Sequence, residues 1–183
     1  MTRELIAYVD GGSRGNPGPA GYGVVIQDAQ GRTLETLSQF LGETTNNVAE
    51  YEALLAALEF AVGRRAERLK VYCDSELVVR QMQGRYRVLN PGLKPLFERA
   101  RDLAGKLARF SIESVPREQN LLADRLANEA MDRAKPSSRA PLESFSAVVE
   151  DGRLRPLPPL PDLEEGTEYE VRARKRKPAR RLS

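Results

Sequence analysis

Apolar and polar residues alternate along the first forty positions of the chain, and the spacing then becomes helical. Apolar runs at residues 5–10, 21–27 and 32–41 have the length and alternation of strands. Residues 28–31 have the composition of a turn between the second run and the third. The opening of the chain is therefore predicted to be an antiparallel meander of three strands.

From about residue 47 the apolar positions follow the 3.6-residue period, which predicts a helix over 47–62 that ends at Gly63. The later elements are predicted in the order strand 69–73, short helix to about Gln83, helix 91–108, strand 110–115 and helix 120–133. Strands that alternate with helices indicate an α/β fold, here a mixed sheet with crossover connections. We assign residues 1–133 to this first domain.

The composition changes after this domain. Two alternating runs flank Asp151 and Gly152, which is a strong hairpin signal, and a further alternating run occupies 163–172. Turn-forming residues dominate the segment before them, as in a linker. The expected parts of the C-terminal region are a linker at 134–142, a small all-β module at 143–174 and a flexible basic tail at 175–183.

The chain has 183 residues and contains no histidine. This absence excludes Ser-His-Asp and Cys-His catalysis, histidine-ligated zinc and a histidine general base. Acid–base or metal chemistry must therefore depend largely on carboxylates. The single cysteine, Cys73, excludes an internal disulfide framework and fits a reducing compartment, so we expect a cytoplasmic protein.

The net charge of +3 is unevenly distributed. Residues 1–132 are close to neutral, and the basic excess lies in residues 133–183. Basic tails attract phosphates without reading sequence, so this distribution is compatible with a nucleic-acid partner without establishing one. No apolar run reaches the roughly 18 residues of a membrane helix, and the start of the chain lacks signal-peptide organisation, so no membrane partner is expected.

Four acidic residues stand where predicted elements begin or end. Asp10 ends the first strand before a glycine-rich turn, and Asp74 ends the fourth strand. Glu50 lies in the first turn of the first helix, and Asp124 opens the last helix. In a crossover α/β fold these positions share one edge of the sheet, where ligands bind.

Each of these acids also has a local explanation. Asp10 suits a turn before glycine, Asp74 could cap the next helix, and Asp124 suits the helix dipole. Asn47 with Glu50 three residues later is close to a capping box. The coincidence weighs against these alternatives, because four acids at one edge without basic neighbours repel one another unless divalent cations neutralise them. Oxygen-only ligands select hard cations, so these residues indicate Mg²⁺ or Mn²⁺.

The segments around the four acids resemble the motifs of type 1 ribonuclease H. They are Tyr-Val-Asp-Gly-Gly-Ser at 8–13, Thr-Asn-Asn-Val-Ala-Glu at 45–50, Cys-Asp-Ser at 73–75 and Asn-Leu-Leu-Ala-Asp-Arg-Leu-Ala at 120–127. Their order and surroundings agree with the family over about residues 1–132. The resemblance implies a five-stranded mixed sheet of strand order 3-2-1-4-5 flanked by helices. It also implies endonucleolytic hydrolysis of the RNA strand of RNA–DNA hybrids, leaving 5′-phosphate and 3′-hydroxyl ends.

The same resemblance implies a metal centre and a set of substrate contacts. Asp10, Glu50, Asp74 and Asp124 would hold two Mg²⁺ ions, for which Mn²⁺ can substitute, with Asp10 bridging them. The 2′-hydroxyl is the group that distinguishes RNA from DNA, and the family contacts it with backbone and small polar groups. The matching residues are Gly11, Gly12, Ser13 and Glu50 for this hydroxyl, Asn16, Asn46 and Asn47 for the minor groove, and Glu76 where the family often has glutamine.

The chain departs from the family pattern in two places. Many members carry a histidine in the loop before the last acid, with a proposed role in proton handling or product release. Here that loop is Val-Pro-Arg-Glu-Gln-Asn at 115–120, which resembles the short-loop branch of the family. We hypothesise that Arg117 or Glu118 partly takes over the role of this histidine. The basic handle of other members is also missing, because residues 84–92 lead directly to the next helix.

Residues 144–174 resemble the small β-domain of antitoxin proteins. A module this short buries little core alone, so we expect it either to pair with a second copy, giving a homodimer, or to dock on the nuclease. Two other functions stay open beside the nuclease. One is a non-catalytic hybrid-binding module, which the complete set of four acids disfavours, and the other is a regulatory protein of antitoxin type.

Overall fold

The computed structural model describes residues 4–133, 146–150 and 153–157. The chain divides into two compact units, Met1–Arg139 and Ala140–Ser183. The elements of the first unit are β1 (Glu4–Ser13), β2 (Gly18–Asp28), β3 (Thr33–Thr44), α1 (Asn46–Gly63), β4 (Arg68–Cys73), α2 (Glu76–Met82), α3 (Lys94–Ala104), β5 (Arg109–Ser114), a 3-10 helix (Arg117–Gln119) and α4 (Leu121–Arg133).

The five strands of the first unit form one mixed sheet in the order β3-β2-β1-β4-β5. β2 pairs antiparallel with both β1 and β3, whereas β4 pairs parallel with β1 and β5. The expected fold and strand order are therefore confirmed. β1 is longer than predicted, because its glycine-rich end continues the ladder by pairing Gly12 with Gly21 and Ser13 with Ala20.

The main core lies between α1 and one face of the sheet. Leu54, Leu55 and Leu58 of α1 are buried there with apolar residues of the central strands, such as Val9 and Val71. α4 packs on the opposite face, over β2 and its neighbours β1 and β3. Because one helix covers each face, the edge formed by the carboxyl ends of β1 and β4 is flanked by the starts of both helices.

The third helix and the segment before the last helix differ from the prediction. α3 occupies Lys94–Ala104 rather than 91–108, because residues 90–93 form a turn in which the side chain of Asn90 accepts the N–H of Gly92 at 2.8 Å. The 3-10 helix before α4 was not predicted from the sequence. It places Arg117 and Glu118 beside the start of α4.

In the second unit, β6 (Ser146–Glu150) and β7 (Arg153–Leu157) pair antiparallel on either side of the predicted Asp151–Gly152 turn. The linker at 134–142, the strand at 163–172 and the basic tail lie outside the described residues. Among the helices that the structure describes, none combines the length and apolar character needed to span a membrane.

Candidate active site

Asp10 and Asp74 stand side by side at the carboxyl edge of the sheet. Their preceding residues, Val9 and Cys73, are register partners in the parallel pair of β1 and β4. The two carboxyl groups are close enough that the negative charge of Asp74 contributes to raising the pKa of Asp10. The structure thus brings together the two strand-end acids singled out from the sequence.

Glu50 reaches this edge because α1 starts directly against β1. A Cβ on Gly11 would overlap the backbone of Ala49 and Glu50. The missing side chain of Gly11 therefore serves the packing of α1. The helix is capped by Thr45, whose Oγ1 accepts the N–H of Val48, so Glu50 does not form the capping box suggested with Asn47.

The Glu50 carboxylate instead contacts side chains around the site. Its Oε1 accepts a hydrogen bond from Nδ2 of Asn46 at 2.9 Å, and its Oε2 accepts one from Oγ of Ser75. Ser75 also caps α2 by accepting the N–H of Val78, so Asp74 is not the cap of that helix. Ser75 is a site residue that was not assigned from the sequence, although serine after a strand-end acid is an N-cap signal.

Asp124 is carried to the same edge by α4, whose first turn rests on β2. A Cβ on Gly23 would overlap the carbonyl oxygen of Ala123 and lie 2.6 Å from Cβ of Leu126. Arg117, which is exposed, forms an ion pair with Asp124, and this contact raises the pKa of the guanidinium. Glu118 is exposed on the 3-10 helix.

Burial and mutual repulsion make two of the carboxylates weak acids. Burial, followed by the charge of Asp74 and its hydrogen bond, raises the pKa of Asp10 to about 8. Burial also raises the pKa of Glu50 to about 7, although the hydrogen bond from Ser75 opposes this shift. Groups perturbed in this way by desolvation and like charges are characteristic of functional sites.

Asn120 is a second residue that was not assigned from the sequence. It is almost fully buried just before α4, and its Nδ2 donates to the carbonyl of Val9 at 2.8 Å. The same nitrogen lies 3.4 Å from Oδ1 of Asp74. No local pattern could have revealed these contacts, because Asn120 and Val9 are 111 positions apart.

The expected substrate-contact residues lie at the end of β1, in the loop after it, and at the starts of α1 and α2. Asn16 accepts the N–H of Asn46 at 3.1 Å, which ties the loop after β1 to the start of α1. Ser13 donates to the carbonyl of Gly15 in the same loop. Glu76 is exposed and forms an ion pair with Arg80 on its own helix, so it does not join the four carboxylates. Of the other expected contact residues, Gly12 lies at the end of β1 beside Cε of Met131, and Asn47 lies in the first turn of α1.

The carboxylate oxygens fit a hard divalent cation in type, and burial raises the pKa of Asp10 and of Glu50. Within the described residues, no three His, Cys, Asp or Glu side chains are arranged to enclose one metal ion. Glu50 bonds Ser75 and Asn46, and Asp124 bonds Arg117. Binding of a metal ion here would therefore replace the hydrogen bonds of Glu50 and the ion pair of Asp124 with metal–oxygen bonds.

Comparison with known proteins places this arrangement in context. A family model described as reverse transcriptase-like matches residues 8–130. The bifunctional protein Rv2228c of Mycobacterium tuberculosis is 46% identical over 154 residues, which cover 84% of this chain and 42% of that protein. The chain therefore spans about two fifths of the length of this relative.

Solved structures share the fold over the first unit. The crystal structure of RNase H1 from Halobacterium salinarum is 43% identical, with a TM-score of 0.69, covering 72% of this chain and 99% of that one. LC11-RNase H1, isolated from compost and solved in complex with an RNA/DNA hybrid, is 48% identical with a TM-score of 0.67, covering 71% of this chain and 98% of that one.

Proposed function

This chain belongs to the reverse transcriptase-like family and, within it, to the ribonucleases H, and from this premise we propose that it hydrolyses the RNA strand of RNA–DNA hybrids internally. The observation that carries the proposal is the convergence of four carboxylates from β1, α1, β4 and α4 at one edge of the sheet. A similar protein has been solved with such a hybrid bound, which supports the same substrate class here.

We propose that Asp10, Glu50, Asp74 and Asp124 would hold two divalent ions, a ligand set supported by the effect of the charges of Asp74 and Asp124 on Asp10. When bound, Mg²⁺ or Mn²⁺ supplies activation of the attacking water and stabilisation of the leaving 3′ oxygen, so the products carry 5′-phosphate and 3′-hydroxyl ends. The raised pKa values of Asp10 and Glu50 mean that the metal competes with protons for these oxygens.

The groups around the carboxylates supply recognition. The loop after β1 and the start of α1 carry small polar groups, joined by the bond between Asn16 and Asn46. These groups are neutral, so they suit the hydroxyls and base edges of a minor groove better than its phosphates. Residues proposed to contact the hybrid are Gly11, Gly12, Ser13, Asn16, Asn46, Asn47 and Glu76.

Arg117 is the stronger of the two candidates for the role of the missing histidine, because it contacts Asp124 directly. In the metal-free site its guanidinium compensates the charge of this carboxylate. If Asp124 held a metal ion instead, the guanidinium of Arg117 would be available to the phosphate, whose charged oxygens suit its fork of donors.

The second unit has a separate proposed role. Within the described part of the second unit, β6 and β7 form a two-stranded sheet, and a module as short as 143–174 buries little core alone. We therefore propose that the module at 143–174 pairs with a second copy to form a homodimer. Light scattering coupled to size exclusion tests this: a monomer whose mass per particle is unaffected by deleting 143–183, apart from the missing residues, contradicts it.

Cleavage of a labelled RNA–DNA hybrid in Mg²⁺ tests the enzymatic proposal. The wild type should cut the RNA internally and leave 5′-phosphate ends, and Asp10→Asn should abolish the reaction. Asp102→Asn, the same change at an exposed position on α3, serves as the control and should retain activity. A wild type that binds the hybrid without cutting it would show instead a non-catalytic binding module.

A further inference from the structure

Asn120 joins the carboxyl ends of the two central strands. Its side chain is 1% exposed, and Nδ2 donates to the carbonyl of Val9, the residue before Asp10, at 2.8 Å. The same nitrogen has Oδ1 of Asp74 as a second, longer contact at 3.4 Å. A single amide group therefore bridges the backbone of β1 and the carboxylate that follows β4.

The backbone of Asn120 extends this bridge to the last helix. Its carbonyl accepts the N–H of Asp124 at 3.0 Å, and its own N–H donates to the carbonyl of Arg117 at 2.9 Å. Asn120 thus orders the first turn of α4 at Asp124. Three of the four carboxylates either bond to Asn120 or directly follow a residue that does.

The oxygen of this amide shows that a contribution to stability does not by itself explain why position 120 is an asparagine. Oδ1 is buried and has no hydrogen-bond partner among the described residues. Burial of an unpaired acceptor is unfavourable, and turning the amide over would place Oδ1 against the carbonyl oxygen of Val9, acceptor to acceptor. A leucine of similar volume would avoid this penalty, so asparagine is explained by what Nδ2 does at the strand ends.

We infer that Asn120 is a positioning residue of the active site, whose amide fixes the relative placement of Asp10 and Asp74 and whose backbone orders the first turn of α4 at Asp124. Groups that orient metal ligands must themselves be held by packing and hydrogen bonds, and Asn120 has both. For its effect on turnover the inference rests on the proposed function, whereas its effect on carboxylate geometry does not.

The test compares Asn120→Leu, which keeps the volume and removes the donor, with Gln83→Met. Gln83 is a matched control, because its Nε2 also donates to a strand carbonyl at 2.8 Å, that of Ile112 on β5, without contacting a carboxylate. Three measurements are made: the ¹³C carboxyl resonances of the metal-free protein, Mn²⁺ affinity by calorimetry without substrate, and kcat and KM for the hybrid.

In Asn120→Leu we expect the resonances of Asp10 and Asp74 to shift. Mn²⁺ affinity and kcat should fall about 10- to 100-fold, the range typical for groups that orient metal ligands, while KM changes less than about twofold. Gln83→Met should alter the melting temperature without altering these quantities. If Asn120→Leu does not fold, Asn120→Ser, which is smaller and lacks the reach of the amide, should give the same pattern.

Carboxyl resonances and Mn²⁺ affinity that match those of Gln83→Met in both Asn120 variants would overturn the inference. A wild type that cleaves no hybrid, but whose carboxyl resonances respond to Asn120→Leu, overturns the proposed function and supports the positioning role. An active wild type with unresponsive carboxyl resonances overturns the positioning role alone.

Discussion

Gly23 lies directly opposite Asp10 in the antiparallel ladder of β1 and β2. Its missing side chain lets the backbone of α4 at Ala123 rest on β2, since a Cβ at this position would overlap the Ala123 carbonyl. Asp124 is the next residue of α4. The distance between two of the proposed metal ligands is therefore set in part by a glycine that touches neither metal nor substrate.

Gly23→Ala should consequently reduce activity more than the addition of one methyl group would suggest. The added methyl group must push α4 away from β2, which moves Asp124 relative to Asp10. We expect a loss of about 1–3 kcal/mol in the free energy of unfolding, as for other overpacked sites, and at least a tenfold loss in kcat. Urea unfolding and steady-state cleavage measure the two effects.

Gly63→Ala provides the control for Gly23→Ala. A Cβ at Gly63, the last residue of α1, would meet nothing within 4 Å, and this glycine does not have a positive φ. Activity should stay at the wild-type level, and stability should be equal or slightly higher because alanine favours the helix. If Gly23→Ala keeps full activity while losing stability, the packing of α4 does not control the site.

The residues that the sequence revealed share one property, which is that their role follows from where an element begins or ends. Asp10 and Asp74 end strands that periodicity locates, and the topology then forces them to one edge. The strand order and the flanking helices, in contrast, were expected from the resemblance to type 1 ribonuclease H. The start of α3 was misplaced because Asn90 bonds Gly92 in a local turn that competes with the helix.

The residues that the sequence did not reveal act through contacts between distant segments. Ser75 bonds Glu50 across 25 positions, and Asn120 bonds Val9 across 111. Gly23 matters because α4 packs on it. Periodicity and local motifs describe single elements, so they carry no information on such pairs.

Ser75→Ala should make Glu50 a still weaker acid. The hydrogen bond from Ser75 stabilises the Glu50 carboxylate, so its loss removes a contribution that lowers the pKa of Glu50. A larger fraction of Glu50 is then protonated near pH 7, and the Mg²⁺ concentration for half-maximal activity should rise severalfold there but converge on the wild-type value near pH 9. A ¹³C titration of Glu50 measures the shift directly.

Ser75→Ala should also remove the cap of α2, because Ser75 accepts the N–H of Val78. This loss should lower the free energy of unfolding by about 1 kcal/mol. The two effects are separable, since capping changes the unfolding free energy at all pH values and the carboxylate effect depends on pH. An unchanged Glu50 titration in a destabilised Ser75→Ala protein would show that Ser75 acts only as a cap.

Asp10 should make the metal-free protein less stable as the pH rises. Its pKa is about 8 in the folded protein and near 3.8 when unperturbed, so the folded state retains a proton that the unfolded state releases. The stability present below pH 4 is therefore lost progressively up to about pH 8. Asp10→Asn, which mimics the protonated form, should be more stable than wild type at pH 9 by on the order of 5 kcal/mol, with little difference near pH 4.

Urea unfolding in a chelator at both pH values checks this difference, and added Mg²⁺ should reduce it by stabilising only the wild type. Equal stabilities of wild type and Asp10→Asn at pH 9 in the chelator would mean that Asp10 is ionised without strain, and that the carboxylates do not repel one another as described.

Arg117→Ala should lower kcat, whereas Glu118→Ala should not. Arg117 forms an ion pair with Asp124, whereas Glu118 is exposed on the 3-10 helix, so we expect only Arg117 to respond to a change at Asp124. We expect about a tenfold fall in kcat with little change in KM, and partial recovery in Arg117→Lys, which keeps the charge but not the bidentate fork. Because the ion pair is exposed, its loss should change the melting temperature very little.

If Arg117→Ala and Glu118→Ala both turn over at the wild-type rate, neither residue replaces the missing histidine, and the proton must be handled by solvent or by a carboxylate of the site.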